Sequence, residues 1–177
     1  MAFVHSVSPP RRTSVRAVMQ SIFKFMQPVL MSWQQHTLIQ FTAKAGLASI
    51  VSSTPLTQDA CSFYEDHSLF DDYTGIVLQL EEGKRIAIAL GEKKAIILRN
   101  HGLLTVGHSV DEAAWWFVAM ERSCQAQLMA EAAGTPILIY SENARLAQRQ
   151  VGSHQVGWFS FQPLYELIVH QQPELLE

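Results

Sequence analysis

The residues best placed for chemistry are Arg99-Asn100-His101-Gly102, which follow the apolar run Ala95-Ile96-Ile97-Leu98. An imidazole at the end of a buried strand can bind a metal ion or carry a proton, and it can equally donate a hydrogen bond at the strand end. One histidine alone makes a poor metal site, because zinc is held by three or four protein donors. What matters is therefore which partners the chain supplies. His67, in Glu65-Asp66-His67, faces either a substrate pocket or a solvated turn, and His154 follows Gly152-Ser153 as a residue in a helix-capping neighbourhood does. His36 is read as a surface histidine unless it belongs to a ligand pair, and His108 and His170 carry no functional expectation.

The elements that must position these residues follow from periodicity and caps. Gly75-Ile76-Val77-Leu78 reads as a short strand, Glu81 to Leu90 as a helix ending at Gly91, Ala95 to Leu98 as a buried strand, and Gly102 to Gly107 as a second strand. Ser109-Val110-Asp111-Glu112 is a capping box, in which the serine hydroxyl takes the amide three residues on and the glutamate reaches back. A long helix is predicted there, with Val110, Ala113, Ala114, Phe117, Met120, Cys124, Gln127 and Leu128 at helical spacing and Gly134 and Pro136 at its end. Ile137-Leu138-Ile139 reads as extended, Ser141 as the cap of a helix over Glu142 to Gln150, and Phe161 to His170 as a terminal helix with Pro163 near its start. Trp115, Trp116 and Trp158 are expected in the core or at subunit contacts. Strands followed by helices on a mixed sheet predict a three-layer α/β/α domain.

Composition narrows the function classes. With 177 residues and 48% apolar content, the chain can bury one sizeable core. A net charge of -3 and the lack of a basic stripe with interleaved aromatics exclude a polyanion partner, so no nucleic acid is expected. Cys61 and Cys124 form neither a CxxC pair nor a disulfide framework, which fits a reducing compartment and a cytoplasmic location. No apolar run reaches the roughly 18 residues that a membrane span needs. The charge is uneven: residues 1 to 58 hold no Asp or Glu, and all 16 acidic residues follow. Residues 1–53 therefore read as an atypical basic leader ahead of a domain over 54–177. Pro9-Pro10 and Pro28 favour an unspecialised segment over a mitochondrial transit sequence or a membrane-surface helix.

Several ordered motifs carry a family resemblance. Leu56-Thr57-Gln58-Asp59-Ala60-Cys61, Phe63-Tyr64-Glu65-Asp66-His67, Asp72-Tyr73-Thr74-Gly75 and Arg99-Asn100-His101-Gly102-Leu103-Leu104-Thr105-Val106-Gly107 follow one another as in the class II aldolase/adducin family. Val110 to Gln127 is similar to that family's long helix, and Val151 to Tyr165 to its closing segment. The resemblance implies a class II aldolase-like α/β/α fold with a mixed central sheet, here with an incomplete N-terminal part. It also implies Zn²⁺ held by three histidines, two from an HxH pair and one from the histidine before the glycine, with an open position that polarises a carbonyl or enediolate oxygen.

Set against that pattern, His101 matches the third ligand. Val15 to Ser21 resembles the lead-in to the pair, with Gln20 and Ile22 where the two histidines would stand. A second registration, counted back from Thr57-Gln58, places Gln34-Gln35-His36 there and retains His36 as the second histidine. The metal candidates are thus His101 and His36, and the incomplete set predicts that the purified protein binds no stoichiometric zinc. The family's general acid/base glutamate also lacks a counterpart, since no acidic residue precedes Asp59. No catalytic residue is assigned. Asn100, His67 and Tyr165 are the substrate-binding candidates. The resemblance leaves three functions open: a degenerate relative of zinc-dependent retro-aldol lyases, with reduced activity or none; an adducin-like protein of the actin and spectrin cytoskeleton; and a non-catalytic subunit in a homo- or hetero-oligomer with related chains.

Overall fold

A computed structural model describes residues 54–72, 80–100 and 102–172. The expected leader over 1–53 and the expected strand over Gly75 to Leu78 lie outside the described residues. The elements are α1 (Gln58–Cys61), β1 (His67–Phe70), α2 (Leu80–Leu90), β2 (Ala95–Leu98), β3 (Gly102–Thr105), α3 (Val110–Ala133), α4 (Ser141–Val151) and α5 (His154–Gln171).

The sheet of these three strands runs in the order β1-β2-β3, with β1 parallel to β2 and β2 antiparallel to β3. The parallel pair needs a crossover, and α2 lies within it. The antiparallel pair needs only the three residues between Leu98 and Gly102, which are opposite each other in the register. β2 is buried along its whole length, and its side chains alternate between two cores. Ala95 and Ile97 join Phe63, Trp116, Ala119, Met120 and Cys124 on one face, while Ile96 and Leu98 join Ile86, Leu90 and Val106 on the other. The period of two in a strand thus produces the three layers, α3 on one side of the sheet and α2 on the other.

The caps explain where the helices begin and where the reading needs correction. Ser109 Oγ accepts from the Glu112 amide at 3.2 Å, as the box predicts. The Glu112 carboxylate, however, takes the backbone N–H of His108 at 2.7 Å, one residue before the cap. The buried stripe of α3 runs through Glu112, Trp116, Ala119, Met120, Ser123, Cys124 and Gln127, and Val110 is 84% exposed. The expected face is therefore rotated: Trp116 and a carboxylate enter the core because α5 packs there.

Ser141 is the first residue of α4 and makes no cap; Tyr140 precedes it without a side-chain bond. Ile137 to Ile139 joins no strand, and its Ile139 N–H donates to the Pro55 carbonyl at 2.9 Å. The terminal helix begins at His154, capped by Ser153, and continues through Pro163. A proline inside a helix removes one N–H donor. Packing of α5 against α3 outweighs that loss, and the backbone of Gly157 lies directly against the Trp116 ring.

Candidate functional site

The turn between β2 and β3 is the place where the sequence puts its chemistry. The Arg99 amide donates to the Phe70 carbonyl at 2.9 Å, and its guanidinium pairs with Asp71. Asn100 is exposed with φ of 56°, a left-handed conformation that asparagine tolerates better than most residues. Gly102 then starts β3 in buried surroundings. His101 and His36, the two metal candidates, lie outside the described residues.

His67 is the first residue of β1, and its Nδ1 donates to the Phe63 carbonyl at 2.7 Å. Burial pushes its pKa down, outweighing the hydrogen bond to Phe63, which raises it. The ring is thus a neutral donor that ties the strand to the preceding turn. In the register, His67 is opposite Ala95 whereas Phe70 is opposite Leu98. His67 and Asn100 therefore sit at opposite ends of the strands, separated by about 10 Å of rise. Tyr165 is half exposed on α5, a helix that packs on α3.

At the end of the sheet away from that turn, the structure assembles a buried polar array that periodicity did not single out. Lys94, 4% exposed, sits just before β2. Its Nζ donates to the Gly152 carbonyl, lies 3.1 Å from Asp66 Oδ2 and stands 4.3 Å from the centre of a Trp116 ring. Burial holds the Lys94 pKa below the ordinary lysine range, while Asp66 and Glu112 oppose that shift. Glu112, 1% exposed, accepts from the His108 amide at 2.7 Å, the Trp116 indole at 2.8 Å and His154 Nδ1 at 2.6 Å. The outer end brings His108, Glu112 and His154 donor atoms within 4.8 Å of one another. The available signal was Glu112 at a helical position that must be buried if Trp116 is. Lys94, directly ahead of four apolar residues, pointed the same way.

A cleft of about 300 Å³ is lined by Tyr64, Glu65, Asp66, Arg145, Gln148 and Arg149. Arg145 grips the Glu65 carboxylate from two nitrogens, with Nη2 to Oε1 at 2.6 Å. That pair cancels charge across the cleft and disfavours it as a site for an ionic ligand.

Residues 35–128 match the family described as Class II Aldolase and Adducin N-terminal domain, just over half of the chain. The chain belongs to this family. Over 121 residues it is 55% identical to the decarboxylase NovR of Streptomyces niveus, covering 68% of this chain and 45% of that protein. It is 39% identical over 88 residues to alpha-adducin of Rattus norvegicus, covering 48% of this chain and 12% of adducin. The solved L-fuculose 1-phosphate aldolase of Glaciozyma antarctica PI12 superposes with a TM-score of 0.66 at 40% identity, over 76% of this chain and 49% of that one. The chain thus spans less than half the length of the decarboxylase and about half that of the aldolase. The class II aldolase fold predicted from the motifs is the fold observed. No helix among the described residues is long and apolar enough to cross a membrane.

Proposed function

We propose that this class II aldolase/adducin domain descends from an enzyme that cleaves a carbon–carbon bond beside a carbonyl, and that the activity is reduced or lost in this chain. The observation that carries the reading is the donor set. A zinc site of the family's kind needs three imidazoles, and the sequence supplies His101 and at most His36. The family match begins at residue 35, which takes in His36 and leaves out Gln20, Ile22 and Gln34. Glutamine is a weak neutral oxygen donor where the pattern asks for imidazole. The residues therefore do not fit a tri-imidazole zinc site. The 55% identity to a decarboxylase and 40% to an aldolase favour the enzyme line over the cytoskeletal one.

The test is elemental analysis of purified chain beside His101→Ala, with lyase and decarboxylase assays on small hydroxy-carbonyl phosphates and 2-oxo acids. The expected result is the same zinc content in both proteins and no turnover. One zinc per chain that disappears in His101→Ala, with turnover, overturns the proposal.

Two further readings rest on separate observations. The identity to alpha-adducin supports an actin- or spectrin-associated role, checked by cosedimentation with actin filaments. Trp158, Phe159, Leu167 and Ile168 are exposed on α5, which supports assembly with a related chain, checked by light scattering of the chain alone and mixed with a longer relative.

A further inference from the structure

We propose that His108, Glu112 and His154 form a binding site for one divalent transition-metal ion, distinct from the Arg99–Gly102 turn. The three residues come from the β3–α3 connection, the first turn of α3 and the first residue of α5. They offer two imidazole nitrogens and one carboxylate oxygen, all within 4.8 Å of one another. Two histidines and a carboxylate suit first-row ions such as Zn²⁺ and Co²⁺ and leave coordination positions open.

The carboxylate is what distinguishes this group from a chance gathering of surface residues. Glu112 is 1% exposed and is held by the His108 amide and the Trp116 indole, the kind of outer contact that orients a ligand. The backbone closes around it as well: a Cβ at Gly107 would lie 2.9 Å from Glu112 Cδ, and one at Gly157 would lie 2.9 Å from its Cγ. Both histidines, by contrast, reach solvent, which gives an ion its entry path. His154 Nδ1 and Glu112 Oε1 are 2.6 Å apart, close to the roughly 3 Å between neighbouring ligands on an ion with bonds of about 2.0–2.2 Å. The ion takes the place of the ring proton that now bridges them, and the bound, neutral imidazole carries its one proton on the second ring nitrogen.

The His108 ring stacks on His154 with centroids 3.6 Å apart and planes at 22°. A turn of this exposed side chain aims one of its nitrogens at the ion. β3 separates the group from the Arg99–Gly102 turn by about 13 Å of strand. The proposed group thus lies at the other end of β3 from the Arg99–Gly102 turn, and the two metal questions are tested separately.

The experiment is titration of the full, metal-stripped chain with Co²⁺, read by visible ligand-field bands and by calorimetry, then displacement by Zn²⁺. The expected result is one ion per chain, unchanged in His101→Ala and weakened about tenfold or more in His108→Ala. Circular dichroism keeps the comparison fair, since His108 is exposed. His154→Gln adds a second variant that retains a hydrogen-bonding partner for Glu112 while removing the imidazole, and it should weaken binding equally. Absence of Co²⁺ binding, or binding abolished by His101→Ala and untouched by His108→Ala, overturns the proposal.

Discussion

Replacing Glu112 with glutamine tests the reading of the buried array most directly. The carboxylate accepts three N–H donors, from the His108 backbone, the Trp116 indole and the His154 ring. Glutamine keeps the shape but offers one oxygen, and its amide nitrogen donates rather than accepts. If that oxygen serves Trp116 and His154 in place of Oε1, the amide nitrogen faces the His108 N–H, and a buried donor is left without an acceptor. Such an orphan costs about 1–3 kcal/mol. The bond to His154 also loses its charge assistance, worth roughly another 1 kcal/mol. The loss of a negative charge near buried Lys94 acts in the same direction. Together Glu112→Gln should destabilise the fold by about 2–4 kcal/mol, a fall in Tm of roughly 4–16 °C for a chain of this size. The assay is urea unfolding followed by tryptophan fluorescence, with chelator present so that no metal contributes. The midpoint should fall at constant slope. A change below about 0.5 kcal/mol, the range of an ordinary surface substitution, would refute the claim that Glu112 organises the α3–α5 junction.

Gly157→Ala tests the same junction sterically. A Cβ there would lie 2.5 Å from Trp116 Cζ2, so the variant should lose about 1–3 kcal/mol by overpacking, seen as a lower urea midpoint; an unchanged midpoint would mean that α5 does not press on Trp116. Burial, helped by the charge of Glu121, pushes the Cys124 thiol from 9.0 up to about 12. A raised pKa means that the folded state keeps a proton the unfolded state gives up, so this contribution is intact below pH 9 and falls as pH rises towards 12. Between pH 9 and 10 the loss is roughly 1 kcal/mol. Cys124→Ala should flatten that part of the stability curve relative to the parent chain; identical slopes would count against the buried thiol.

Much of the architecture was legible because local signals agreed with tertiary packing. The Ser109 cap, the β2 strand and the Leu80–Leu90 helix ending at Gly91 each follow from residues within one turn or one strand. The misreadings have one cause. Pro163 looked like a helix start and Val110 like a core residue, yet α5 begins nine residues before Pro163 and turns the buried face of α3 towards Trp116. Local propensity is a weak prior beside burial of a large aromatic. His108 drew no functional expectation and His154 was read as part of a capping neighbourhood, because the two lie far apart in sequence and only the packing of α5 on α3 brings both to Glu112.

By itself the sequence determined the family and the α/β layering, because ordered motifs and strand alternation are properties of the chain in one dimension. Tertiary structure decided that buried Lys94 and Glu112 share one end of the sheet with the partly buried Asp66 and the exposed His154. Their stabilisation comes from partners distant in the chain: Gly152 for Lys94, His154 for Glu112. A charged group survives in a core only where such partners converge, and that convergence is set by how helices pack.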